Sequence, residues 1–251
     1  MSDIRFNHLL GLDGVNRETI YEILNTAQAF LKVLKRPIPK VPSLRGVTVA
    51  NLFFEPSTRT RVSFELAEKR LSADTVNFAA SGSSLSKGET LLDTTHNIEA
   101  MKVDVVVIRH YAQGAPHFLA ERIDASVVNA GDGPHEHPTQ ALLDILTLKQ
   151  HVKKFEGLKV LILGDIRHSR TARSNIYGLK TLGAEVMVCG PATLMPREME
   201  SLGVNITYDL DEGLAWCDAV NVLRLQLERQ RQGLIPSLRE YNNEFGLTKQ
   251  R

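Results

Sequence analysis

Short, uninterrupted apolar runs alternate with stretches of helical periodicity along this chain, and that alternation leaves few folds open. The runs fall at Val47–Phe54, Thr75–Phe78, Val103–Ile108 and Ser126–Asn129, and again at Lys159–Gly164, Glu185–Cys189, Asn205–Tyr208 and Ala219–Leu223. A strand apolar on both faces belongs to a parallel sheet covered by helices on both sides. The first helix is expected over Arg17–Leu34, where Ile20, Ile23, Leu24, Ala27, Phe30, Leu31 and Leu34 recur at helical spacing. The proline-rich segment 35–43 ends it. A long helix over His137–His151 separates the two series of strands. The sequence therefore predicts an α/β protein of two lobes, each a parallel sheet flanked by helices, with a ligand cleft between them. The polar segment 151–157 marks the boundary, giving lobes of 1–150 and 151–251.

Bulk properties narrow the function classes. The chain has 251 residues and a net charge of +1, so a basic nucleic-acid surface or a charged disordered tail is not expected. No signal-peptide pattern opens the chain and no apolar run reaches membrane-spanning length, which points to the cytoplasm. Cys189 and Cys217 stand apart, with no CxxC pair, and read as small core hydrophobes rather than a disulfide or metal site.

Chemistry-bearing residues follow the strands. Phe54–Arg61 reads FEPSTRTR, placing Ser57, Thr58, Arg59 and Thr60 where a strand ends and a helix begins. Hydroxyls, a guanidinium fork and the unpaired amides of a helix start suit phosphate. An ordinary N-cap with solvated arginines would produce the same residues. The polar loop 81–90 carries Lys87 and lacks the P-loop order; it reads either as a functional loop or as a surface linker. Arg109 and His110 close another strand. Asn129–Gln140 then brings His135, His137 and Gln140 to a helix start. His135 and His137 lack an evident third metal ligand, whereas His137 and Gln140, one turn apart, can hydrogen-bond a carbonyl or carbamoyl group or simply cap the helix. In the second lobe, 164–173 supplies Arg167, His168 and Arg170 without a dinucleotide glycine fingerprint. Arg224 and Gln226 share one side of the segment after the last strand if it stays extended. One arginine after a strand means little. Arg59, Arg109, Arg170 and Arg224 together point to polyanionic ligands.

Taken in order, FEPSTRTR (54–61), SxxxKGET (83–90), NAGDGxHxHPTQ (129–140), GDIxHSRTARS (164–174) and LRLQxER (223–229) resemble the aspartate transcarbamoylase catalytic chain, within the aspartate/ornithine carbamoyltransferase family. The ornithine enzymes share STRTR; Thr139 and the LRLQxER segment look like the aspartate side. The resemblance implies carbamoyl phosphate held by Ser57, Thr58, Arg59 and Thr60, with Arg109, His137 and Gln140 at its carbamoyl end. It implies L-aspartate held by Arg170, Arg224 and Gln226, with Lys87 and Ser83 or Ser84 on a loop that enters a neighbouring subunit's site. Glu55 and Asp165 look like residues that orient arginines, and Glu228 like part of a moving loop. A homotrimer with shared sites is implied, with no cofactor, no metal and a place in de novo pyrimidine biosynthesis. Regulatory chains or a pathway enzyme are further partners that it leaves open.

The chemistry agrees with this reading. An uncharged amine attacks a carbonyl carbon and phosphate leaves, so what helps is positioning of two anions and donors for the developing oxyanion. Arg59, Thr60, Arg109, His137 and Lys87 suit those tasks. Family members usually run on past the equivalent of Arg251 with an HPGP-type loop and a final helix. The expectation from this shorter sequence is that fold survives better than activity and that the Arg17–Leu34 helix exposes apolar surface. A transcarbamoylase for another amine, or a homologue that binds without turnover, are the competing readings.

Overall fold

The computed structural model describes residues 7–79, 90–229, 233–249 and 251. The chain divides into two compact units, one comprising residues up to Leu12 and Glu18–Thr139, the other Asp13–Arg17 and Gln140–Arg251.

The first unit contains α1 (Arg17–Leu34, whose first residue counts with the other unit), β1 (Thr48–Phe53), α2 (Thr58–Leu71), β2 (Asp74–Ala79), α3 (Leu91–Ala100), β3 (Val105–His110), α4 (Ala115–Ala120) and β4 (Ser126–Asp132). Its strands pair in parallel in the order β2-β1-β3-β4. Alternate residues of a strand face opposite sides, and both sides are apolar here. Ala50, Leu52, Val106, Ile108 and Val127 pack with Ile98 of α3 and Leu119 of α4. Val49, Phe53 and Val107 face Phe64 of α2. Each fully buried Leu or Ile contributes roughly 1.5–3 kcal/mol, so two-sided burial explains why these strands lack the polar alternation of a half-exposed sheet. Leu9 adds to the outer edge of β4, donating to the Val127 carbonyl at 2.8 Å and accepting from Asn129 N–H at 2.8 Å. That covers an edge otherwise open to pairing. On α1, Ile20 and Leu24 are buried, but Leu31 and Leu34 are exposed and Val33, on the opposite side, is buried instead. The apolar stripe read from the sequence therefore does not stay buried along the helix.

The second unit holds most of α5 (Pro138–His151), then β5 (Lys159–Leu163), α6 (Arg170–Thr181), β6 (Glu185–Cys189), β7 (Asn205–Thr207), α7 (Leu210–Trp216), β8 (Ala219–Val222) and α8 (Leu238–Phe245). Its parallel sheet runs β7-β6-β5-β8. Leu161, Leu163, Met187 and Cys189 are buried with Leu210 of α7, and Trp216 and Phe245 pack against them. No described helix is long and apolar enough to cross a membrane. The expected architecture of two helix-flanked parallel sheets is what the chain adopts.

Both strand orders place a switch point beside the first strand of the sheet. In the first unit the chain leaves β1 for β2 on one side and reaches β3 on the other. In the second it leaves β5 for β6 and returns to β8. Open α/β sheets bind ligands outside the carboxyl ends of strands at such points.

Candidate functional site

At the first switch point, β1 delivers Glu55–Thr60 and β3 delivers Arg109. Arg109 is only slightly exposed. Its Nε lies 3.3 Å from Glu55 Oε2, and its Nη1 donates to the Ala130 carbonyl at 3.3 Å and to Thr60 Oγ1 at 3.5 Å. The guanidinium thus spans the ends of β1, β3 and β4. Glu55 lies against this arginine, where a residue that orients it would sit. Arg109 and His110 are the last residues of β3 rather than residues beyond it, and the register slips there against β4, between Ile108 and His110.

Ser57 occupies the N-cap position of α2 with extended backbone, yet its side chain makes no capping hydrogen bond. The plain-cap alternative therefore fails for Ser57, whose hydroxyl is not spent on the helix. Thr58 and Arg59 are exposed, and Ser57 and Thr60 half-buried. His137 is buried immediately before α5, with Nδ1 3.4 Å from Thr139 Oγ1. Gln140 donates to Asp144 Oδ1 at 3.0 Å.

Beneath His137 lies a buried polar network that sequence reasoning missed. Asp132 accepts from Gly114 N–H at 2.7 Å, Asn129 Nδ2 at 2.8 Å and Glu136 N–H at 3.1 Å, and its Oδ2 is 3.0 Å from His135 Nδ1. Burial pushes its carboxyl up, but hydrogen bonds from His135, Asn129 and Gly114 outweigh this and hold it below the usual carboxylate range. Glu136 in turn accepts from Leu12 N–H at 2.8 Å, tying the turn to a segment 124 residues away. His110 is buried, accepts from Ala112 N–H at 2.9 Å and stacks on Tyr111, and burial lowers its pKa.

At the second switch point, Gly164 takes a φ of +126°, which glycine tolerates without strain, and a side chain there would meet the Leu223 carbonyl and Tyr241. Asp165 is fully buried. It accepts from His168 N–H at 3.2 Å and Gln226 N–H at 3.1 Å, with His168 Nδ1 at 2.8 Å. Its carboxylate joins the β5–α6 turn to the segment after β8. Arg170 is the buried first residue of α6, behind the N-cap Ser169, whose side chain accepts from Ala172 N–H at 3.2 Å. Arg224 is exposed and donates to Gln226 Oε1 at 3.1 Å, so the two do share one side. Arg229 donates to the His168 carbonyl at 3.0 Å. Asp144 also collects donors, from Asn175 at 2.8 Å and Asn221 at 3.4 Å. Tyr241 is pushed up to about 12, chiefly by burial, then by the charge of Asp165. Lys87, Ser83 and Ser84 lie outside the described residues, as does the side chain of Glu228.

The structure thus brings Thr60, Arg109 and Glu55 together in one unit, and Arg224 and Gln226 in the other. Asp132, Asp144 and Tyr241 were not foreseen. Only the acidic residue in Gly131-Asp132-Gly133 offered a signal, a carboxylate too close to a strand end to be solvated.

Residues 7–150 match the sequence profile of the aspartate/ornithine carbamoyltransferase carbamoyl-P binding domain. The aspartate carbamoyltransferase catalytic subunit of Cytophaga hutchinsonii is 59% identical over 250 residues, a match covering 100% of this chain and 81% of the relative. Aspartate transcarbamoylase from Trypanosoma cruzi in complex with carbamoyl phosphate superposes with a TM-score of 0.83 at 32% identity, over 96% of this chain and 79% of that one. The same enzyme in complex with carbamoyl aspartate and phosphate gives 0.78 at 33% identity, over 88% and 76%.

Proposed function

The chain belongs to the aspartate/ornithine carbamoyltransferase family, and from that premise we propose how its two switch points divide the work of carbamoyl transfer. As an aspartate carbamoyltransferase catalytic chain, it moves the carbamoyl group of carbamoyl phosphate to the amino group of L-aspartate, giving N-carbamoyl-L-aspartate and phosphate. Ser57, Thr58 and Arg59 hold the phosphate, using free hydroxyls, α2 amides and a guanidinium fork. Arg109, Thr60 and His137 donate to the carbamoyl oxygen, with Gln140 at the carbamoyl nitrogen. Arg170 and Arg224 pair with the two carboxylates of aspartate, and Gln226 hydrogen-bonds one of them.

The uncharged amine attacks the carbonyl carbon, negative charge moves to its oxygen, and the C–O bond to phosphate breaks as the tetrahedral species collapses. The amine's proton leaves with the phosphate or to solvent. Fixed donors at the oxygen need no reorganisation as charge develops, which is where rate is gained. One observation carries the assignment: Arg109 is held at the first switch point by Glu55 and the Ala130 carbonyl, with Thr60 beside it.

The proposal extends to assembly. The chain works in the cytoplasm as a homotrimer in which Lys87 of one copy completes a neighbour's site, feeding pyrimidine biosynthesis. Mixing Lys87→Ala with Arg59→Ala chains then restores part of the activity, and no recovery would refute shared sites. For the chemistry itself, the test is carbamoyl aspartate formation from carbamoyl phosphate with aspartate and, separately, ornithine. Product is expected with aspartate alone. Arg59→Ala should lose about 10²–10³ in kcat; near-normal turnover would remove Arg59 from the mechanism.

A further inference from the structure

Three side chains not used in carbamoyl transfer meet behind the turn that carries His137. His117 comes from α4, Asp132 from the end of β4 and His135 from the turn itself, and one ligand-capable atom of each lies within 4.8 Å of the others. The sequence offered His135 without a third partner; the structure adds Asp132, three residues earlier in the chain, and His117 from the separate helix α4. His135 Nδ1 and Asp132 Oδ2 are 3.0 Å apart. Two ligands of a tetrahedral zinc ion, each about 2.0–2.1 Å from the metal, sit roughly 3.3 Å apart, so this pair needs to open by only a few tenths of an ångström. A second observation points the same way. His117 Nδ1 is buried and has no hydrogen-bond partner among the described residues, an arrangement that normally costs stability unless something satisfies the atom. The His117 and His135 rings pack edge to face, 5.7 Å between centroids, which brings both imidazoles to the same carboxylate.

We propose that His117, Asp132 and His135 bind a divalent cation of borderline softness, Zn²⁺ foremost, with water completing a tetrahedron. The outer support that such a site needs is in place. Asn129 Nδ2 and Glu136 N–H donate to Asp132 Oδ1, and Gly114 N–H donates to Oδ2. The ion takes the place of the proton between His135 and Asp132. It links α4 to the turn before α5 and so steadies the backbone two residues from His137, with no part in the transfer step.

The test uses the whole chain, stripped with a chelator and dialysed, titrated with ZnCl₂ by calorimetry and with CoCl₂ by visible absorption. One saturable ion per chain is expected, with the intense cobalt bands of four-coordination. His117→Ala and His135→Gln should each weaken binding about 100-fold or more, while the Cys189→Ser/Cys217→Ser double variant binds as the parent does. The metal-free melting temperature of His117→Ala should not fall below that of the metal-free parent, since the substitution removes an unsatisfied buried nitrogen, which separates lost ligation from lost fold. No saturable uptake by the parent overturns the proposal. So does uptake that survives both histidine substitutions, or uptake lost only with the cysteines.

Discussion

Replacing Asp132 by Asn probes the buried network under His137 with a change of almost no volume. The carboxylate is 0% exposed and serves Gly114 N–H and His135 with Oδ2 and Asn129 Nδ2 and Glu136 N–H with Oδ1. Asparagine keeps one such oxygen and turns an NH₂ toward the other pair, whichever way it is flipped. At least one hydrogen bond to a charged acceptor disappears, because Gly114 N–H is stranded even where His135 switches tautomer and accepts from the new amide at Nδ1. At about 1.5–3 kcal/mol for each of the one or two bonds lost, the cost is roughly 1.5–6 kcal/mol, a large part of the 5–15 kcal/mol that holds a typical protein folded. Urea unfolding in chelator-containing buffer, followed by circular dichroism, should show this as a lower midpoint with the slope unchanged. Fluorescence of Trp216, the sole tryptophan and a member of the other unit, should report a smaller change. The pH dependence supplies a sign to check. The folded-state pKa of Asp132 is depressed below the ordinary 3.8, so its contribution is complete above that value and is lost as pH falls through the folded pKa. The gap between parent and variant must therefore shrink in acid. A gap below about 1 kcal/mol at neutral pH, within reach of an ordinary point substitution, or one indifferent to acidification, would refute the reasoning.

Glu68 should behave in the opposite sense. Burial raises its pKa above 4.5 although Asn51 donates to it at 3.0 Å, so ionisation at neutral pH works against folding. Glu68→Gln should stabilise at pH 7 and lose that advantage below the unfolded value; an equal effect at both pH values would contradict the assignment. Cys189 is fully buried and its thiol is pushed up to about 11, mainly by burial, so mild alkylation of the native chain should label half-buried Cys217 first. Faster labelling of Cys189, read by mass spectrometry, would contradict its burial. A Cβ on residue 190 would run into the Gly164 carbonyl oxygen, so Gly190→Ala should cost about 1–3 kcal/mol and raise KM for aspartate more than for carbamoyl phosphate. Equal effects on both substrates would detach the β5–α6 turn from aspartate binding.

The strands were legible because burial on both faces leaves continuous apolar runs, and β1, β5 and β6 fall within a residue or two of the runs that announced them. Val103 and Asp104 precede β3 instead of opening it, and Arg109 and His110 belong to it: backbone pairing, not apolarity, sets where a strand stops. Short α4 was expected only as an unbounded helical stretch between two strands, since six residues leave little periodicity to read. Ser57, Thr60, Arg109, Arg224 and Gln226 were legible as residues at or just past strand ends, because the apolar runs that announce β1, β3 and β8 stop beside them. The Asp132 network was not. Its partners include Gly114, and its continuation through Glu136 reaches Leu12, so the pairing exists only after the chain has folded back on itself.

The two switch points also bear on how such an enzyme can change over generations. Loops at the ends of β1 and β3 belong to one unit and those at the ends of β5 and β8 to the other, each with its own core beneath. Mutations in the second set can be sampled while the first stays untouched, because neither sheet draws a strand from the other unit. With the donor held at the first switch point and the acceptor at the second, as proposed above, a fold wired this way could keep one donor chemistry and trade acceptors.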